Sequence, residues 1–128
     1  MEHRVAYKVY YEDTDSLGVV YYANYLKYLE RGRSEFVGAQ GRPIQDWNRD
    51  GYYFVVYALN MKFKKSAGLG DIVEVVSAFS LSSPYRGRFA QRIECRGETL
   101  VTADVDIVCV DGRQQLREFP PLLPAAGQ

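Results

Sequence analysis

Apolar and polar positions alternate over residues 5–11, where Val5, Tyr7, Val9 and Tyr11 oppose Ala6, Lys8 and Tyr10. That period of two predicts a first strand. Residues 12–18 gather acidic, hydroxyl and glycine residues, which end a strand and make a loop. From about Tyr22 the period lengthens. Tyr25, Leu29, Gly32 and Phe36 fall on one face, while Lys27, Glu30, Arg31, Ser34 and Glu35 fall on others, so a helix of about four or five turns is predicted. It stops near residues 38–41. Pro43 then opens a short segment around Trp47, irregular or with one or two helical turns.

Everything after Gly51 reads as strand. Residues 52–65 are rich in Tyr, Val and Phe, and residues 71–82 oppose Val73, Val75, Phe79 and Leu81 to Ile72, Glu74, Val76 and Ala78. In residues 85–95, Phe89, Gln91, Ile93 and Cys95 share one face and Arg86, Arg88 and Arg92 the other. The next segment turns Val101, Ala103, Val105, Ile107 and Cys109 one way and Thr102, Asp104 and Asp106 the other. Arg96-Gly97-Glu98 reads as the tip between these two strands, and Asp111-Gly112 as a turn after them. The Pro-rich tail from Phe119 cannot continue a central strand, and fraying is expected after about residue 120. One strand, one long helix and four strands in series make an α+β fold rather than alternating βαβ. A lone helix cannot cover both faces of five strands, so either the sheet wraps it or a second copy covers the remainder. A homo-oligomer is expected.

With 128 residues, the chain is expected to form a single domain over 1–128 that buries about two-thirds of its unfolded surface without disulfide or metal staples. Sixteen Lys and Arg cancel sixteen Asp and Glu, which disfavours broad electrostatic binding to nucleic acid or an anionic membrane. No apolar run approaches the length of a membrane span, and the first residues carry no signal-peptide core. A soluble, cytoplasmic protein is expected. Cys95, Cys109 and the single His3 cannot assemble a zinc set within one subunit, so no metal is expected and both thiols read as buried.

The chemistry concentrates in residues 10–25, Tyr-Tyr-Glu-Asp-Thr-Asp-Ser-Leu-Gly-Val-Val-Tyr-Tyr-Ala-Asn-Tyr. Three acids stand within four residues, and Asp13 and Asp15 precede a helix start, where unpaired N–H groups and the helix dipole favour negative charge. Turn and cap chemistry alone accounts for much of this.

Together with Tyr-Glu-Asp-Thr-Asp at 11–15, Gly-Val-Val-Tyr at 18–21, Asn24-Tyr25 and Glu30-Arg31 followed by Arg33, the chain resembles the hotdog-fold acyl-CoA thioesterases. The similar branch includes 4-hydroxybenzoyl-CoA thioesterase and the Tol-Pal-associated short-chain enzymes. Phe54-Val55-Val56, Gly70-Asp71, Gln91-Arg92-Ile93 and Val108-Cys109-Val110-Asp111 extend the resemblance over roughly residues 4–120.

This resemblance implies a long central helix wrapped by a five-stranded antiparallel sheet, dimerising into a ten-stranded sheet and often pairing further into a homotetramer. It implies a hydrolase acting on an aromatic or short-chain acyl-CoA, with no cofactor, coenzyme A being part of the substrate. Asp15 would be the catalytic carboxylate, as nucleophile or as general base. The backbone N–H of Tyr22 would stabilise the oxyanion. Gly18, Val19, Tyr21, Asn24 and Tyr25 would line the substrate site, and Asp13 would support the loop. Such a pair makes chemical sense, because a thiolate leaves readily and needs neither a Ser-His relay nor a metal. Many short-chain members carry His where this chain has Tyr22, which tilts the reading towards aromatic acyl groups. Arg86 and Arg88 are the candidate contacts for coenzyme A phosphates, with Lys62, Lys64 and Lys65 as a second cluster.

Three alternatives compete, one of them a small nucleic-acid-binding β-protein, which the aromatic residues favour and the zero net charge opposes. A hotdog dehydratase needs a His paired with an acid, and His3 lies far in sequence from any helix start. A non-catalytic acyl-CoA or partner-binding hotdog protein would use Asp15 only as a cap.

Overall fold

A computed structural model describes residues 1–122. Strand β1 (His3–Lys8) is followed by two single 3-10 turns, Tyr11–Asp13 and Tyr22–Asn24, the second running directly into helix α1 (Tyr25–Ala39). A short helix α2 (Ile44–Arg49) precedes β2 (Tyr53–Phe63), β3 (Ile72–Leu81), β4 (Arg86–Cys95) and β5 (Glu98–Val110). All pairings are antiparallel in the order β1-β3-β4-β5-β2, so β1 and β2 are the edges. This is the hotdog arrangement, one long helix laid on a five-stranded antiparallel sheet.

Helix α1 sits on the sheet because Tyr25, Leu29, Gly32 and Phe36, with Tyr28, recur at helical spacing and are buried. They meet Val73, Val75, Phe79, Phe89 and Ile93, which the period of two turns to the same face of β3 and β4. The outer face is a lattice of ion pairs, Arg4 with Glu74 and Glu94, Arg92 with Glu2, and Arg88 with Asp106. A two-residue turn at Arg96 and Gly97, both with positive φ, joins β4 to β5.

One boundary differs from the sequence expectation. Strand β1 ends at Lys8 rather than Tyr11, because the Val9 N–H turns to the Asp71 carbonyl and the Tyr10 N–H to the Asp13 carboxylate. Of the tail expected to fray after about residue 120, the described residues are seated. Phe119 stacks on Phe54 with ring centroids 5.8 Å apart, and Leu122 is 2% exposed in the core. Residues 123–128 lie outside the described residues.

Candidate active site

The stretch between β1 and α1 folds back on itself as a tight hairpin. Thr14 bridges Val20, the Asp15 N–H donates to the Val19 carbonyl at 2.9 Å, and the Tyr21 N–H donates to the Asp13 carbonyl at 3.2 Å. Its tip is the four-residue turn 15–18, closed by the Gly18 N–H on the Asp15 carbonyl at 3.0 Å. Gly18 carries φ +78° there, a conformation that glycine adopts without steric cost. The returning arm is anchored to the loop before β3, since Val20 N–H donates to the Ala67 carbonyl and Leu69 N–H to the Gly18 carbonyl.

Asp13 and Asp15, two residues apart, face opposite ways. Asp13 is buried. Its Oδ2 accepts the Tyr10 N–H at 2.9 Å and its Oδ1 accepts the Asn24 side-chain amide at 3.0 Å. Burial alone would push this carboxyl up, but those two donors and the neighbouring Tyr28 and Arg31 outweigh it and hold Asp13 below the ordinary carboxylate value of 3.8. Tyr28 is buried beside it, and burial, reinforced by the Asp13 charge, raises the phenol. Because Asp13 titrates lower folded than unfolded, the stability it lends is full above about pH 4 and is lost as pH falls through the lowered value. Asp13→Asn is therefore expected to melt lower than wild type at neutral pH and to converge with it in acid, as a pH series of thermal melts would record.

Asp15 is exposed. Its Oδ1 accepts the Leu17 N–H at 2.8 Å, leaving Oδ2 free of protein donors among the described residues. Around the hairpin stands a crowd of exposed aromatic and aliphatic side chains, Tyr10, Tyr11, Leu17, Tyr21 and Tyr22. Tyr22 is 64% exposed, with its ring 5.1 Å from Tyr21 and edge-on to Phe63 of β2 at 6.1 Å. Such a patch marks a surface made to meet something. The Tyr22 N–H opens the first helical turn and donates to no carbonyl among the described residues, as the geometry of a helix start dictates.

The remaining candidates divide. Gly18, Val19 and Tyr21 belong to the hairpin and stand around Asp15. Asn24 and Tyr25 are buried. Asn24 is buried with its amide spent on Asp13, and Tyr25 is 2% exposed with its hydroxyl accepting the Ala67 N–H at 2.9 Å. Both point inward because the 3-10 turn rotates the chain before α1 begins. Arg86 and Arg88 also lie elsewhere, on the outer sheet face and at the end of β4 away from the hairpin. From Arg88 to Cys95, whose end of the sheet carries the helix start, is about 23 Å of strand. Arg88 is clamped in a two-toothed pair with Asp106 and Arg86 lies over the Tyr57 ring. Of the second basic cluster, Lys64 and Lys65 follow Phe63 beside the helix start, with Lys65 paired to Glu98. Sequence parity showed the arginines to be outward but held no information about which end of the strand the site occupies.

Comparison with known proteins agrees with this geometry. A profile described as the thioesterase superfamily matches residues 17–102. An acyl-CoA thioesterase YbgC of Haemophilus influenzae is 35% identical over 121 residues, covering 93% of this chain and 89% of that one. Another of the same name from Helicobacter pylori is 50% identical over 68 residues, 53% of this chain, so that the match spans about half the length of that relative, 49%. A solved structure titled a probable thioesterase from Bartonella henselae superposes with a TM-score of 0.88 at 31% identity, covering 94% of this chain and all of that one. With the helix-on-sheet fold, an exposed acid beside a helix start, and these matches, the chain belongs to the thioesterase superfamily.

Proposed function

We propose that this protein is an acyl-CoA thioesterase that hydrolyses aromatic or short aliphatic acyl thioesters with Asp15 and the Tyr22 amide as its catalytic pair. The observation that carries the reading is an exposed carboxylate on a hairpin whose returning arm runs straight into a helix start with an unclaimed N–H. The thioester oxygen takes the Tyr22 N–H, which stabilises the negative charge that develops as the carbonyl carbon becomes tetrahedral. Asp15 either adds to that carbon, giving a mixed anhydride that water opens, or takes the proton of an attacking water. By both routes the C–S bond breaks, coenzyme A leaves as a thiolate that is then protonated, and one water oxygen enters the products. The Haemophilus and Helicobacter relatives, named acyl-CoA thioesterases, support coenzyme A as the carrier. Exposed Tyr21, Tyr22 and Phe63 support an aromatic acyl group. Lys64, beside the helix start, replaces Arg86 and Arg88 as the first candidate for the coenzyme A phosphates. The reading calls for no cofactor and places the protein in the cytoplasm, where acyl-CoA is found.

A second copy belongs to the same reading. Edge strand β2 has no strand on its far side and leaves Val55 and Tyr57 exposed along it, an open edge of the kind that proteins pair or cover. Pairing of two such edges makes a ten-stranded sheet, in a homodimer or a tetramer built from it. Leu59→Lys is expected to shift the particle to monomer mass in light scattering.

The test is release of free thiol from a panel of benzoyl-, phenylacetyl-, butanoyl- and hexanoyl-CoA by purified protein. Turnover of one or more supports the reading; absence of turnover on all of them with retained acyl-CoA binding leaves the binding protein.

A further inference from the structure

The inner face of β2 is an open apolar trough leading away from the catalytic hairpin. Phe54, Val56, Leu59, Met61 and Phe63 stand opposite Cys109, Ile107, Val105, Ala103 and Val101 of β5, whose side chains face inward. Helix α1 packs chiefly over β1, β3 and β4, and Val56, Leu59 and Phe63 of this strip stay exposed beside it. At one end Phe63 meets Tyr22. At the other the trough deepens into a cleft of about 310 Å³ floored by Phe54, Val56, Phe89 and Ile107, with Val37 and Arg33 on the helix wall.

Arg33 is out of keeping with those walls. Its Nη1 donates to Gln91 Oε1 at 3.1 Å, while the Gln91 amide is already committed to the Leu29 carbonyl and Ser77 Oγ, each at 2.9 Å. Arg4, Arg42, Arg88, Arg92 and Arg96 all hold carboxylates. Arg33 forms no ion pair among the described residues. Glu30, one turn away and also lining the cleft, attracts it without pairing, and burial weakens its hold on its proton. A guanidinium drawn partly out of water is costly unless an anion or acceptors meet its remaining N–H groups.

We propose that Arg33 recognises a carboxylate at the far end of the acyl group, so that the preferred substrate is the coenzyme A monothioester of a short dicarboxylic acid. The assignment rests on the reading that Asp15 and Tyr22 hydrolyse acyl-CoA. From Tyr22 to Arg33 the chain climbs about 16 to 18 Å along the helix. A helical side chain leans back towards the N-terminus, which shortens that span to one that an acyl chain of about five to eight carbons bridges. The apolar trough accommodates the methylenes, and the planar guanidinium meets the carboxylate with two parallel hydrogen bonds.

The experiment compares kcat/KM for hexanedioyl-CoA against hexanoyl-CoA, and for octanedioyl-CoA against octanoyl-CoA, in wild type, Arg33→Met and Arg33→Lys. Wild type is expected to prefer the carboxylate-bearing member of a pair, and Arg33→Met to lower that preference ratio by about 10- to 100-fold. Arg33→Lys retains part of it. Equal ratios in wild type and Arg33→Met overturn the assignment, because loss of the Gln91 contact alone lowers both members of a pair together; thermal melts establish that each variant is folded. If wild type hydrolyses no acyl-CoA, the catalytic reading fails separately. Calorimetric titration with the monomethyl ester of hexanedioic acid then decides about the cleft. Binding that Arg33→Met abolishes supports it, and binding that is absent or unchanged in the variant overturns it. In an active enzyme, the same half-ester must compete with substrate; binding without competition marks a separate site for free acids and overturns the assignment to the acyl group.

Discussion

Replacing Asp15 by Asn is expected to lower kcat by about a thousandfold while KM moves little, the loss that follows when a positioned base or nucleophile is removed from a reaction centre. In free energy that is about 4 kcal/mol of transition-state stabilisation. Asn is the informative choice. Its carbonyl oxygen can still accept the Leu17 N–H that Asp15 Oδ1 accepts at 2.8 Å, so the turn 15–18 survives and only the charge is lost. Thiol release under saturating and subsaturating acyl-CoA separates the two constants. A loss confined to KM assigns Asp15 to binding; undiminished turnover removes it from the chemistry and returns Asp15 to a turn residue. Asp13→Asn supplies the contrast. That carboxylate is spent on Tyr10 and Asn24, so its removal acts on the seating of the hairpin and is read in stability and its pH dependence.

Much of this architecture was legible in the alternation of side chains. Phe89, Gln91, Ile93 and Cys95 face inward in β4 as their parity requires, and Val101 to Cys109 do the same in β5. The helix face of Tyr25, Leu29, Gly32 and Phe36 was equally plain. The pattern carried less about the site because a site is a matter of which ends meet. Arg88 and Asp106 sit side by side only because β4 and β5 pair in one register, and nothing local encodes that the hairpin packs at the opposite end. Asn24 and Tyr25 look like pocket residues in the motif, yet one turn of 3-10 geometry swings them into the core. Leu122 docks because its tertiary partners outweigh a local composition that favours an irregular tail. The charge of Arg33 gave no hint of its cleft, since a cation at an i, i+7 spacing from an exposed Leu26 reads as solvated until the cleft beneath it is known.

A close approach between helix and sheet yields the second large effect. Gly32 is the point where α1 touches β3, and a Cβ built there would lie 2.4 Å from Val75 Cγ1, 3.1 Å from Val75 Cβ and 3.3 Å from Gln91 Nε2. Alanine in place of glycine within a helix normally gains about 1 kcal/mol from backbone entropy. Here the added methyl occupies space already filled, in an interior packed to crystal density, and overpacking of this kind costs typically about 1 to 3 kcal/mol, more when backbone must move. The steric cost outweighs the gain, so Gly32→Ala is expected to destabilise the fold by about 2 kcal/mol, or roughly 8 °C in melting temperature for a chain of this size. Because the worst contact is with one methyl of Val75, the pair should couple. Val75→Ala alone opens a cavity and is itself destabilising, but the double variant places the new Cβ in that cavity and is expected to be more stable than the sum of the single changes by 1 kcal/mol or so. Equilibrium denaturation of the four proteins measures this coupling. Strict additivity would mean that the helix slides away from β3 to admit the methyl, and the hairpin that α1 carries at its N-terminus would then move with it.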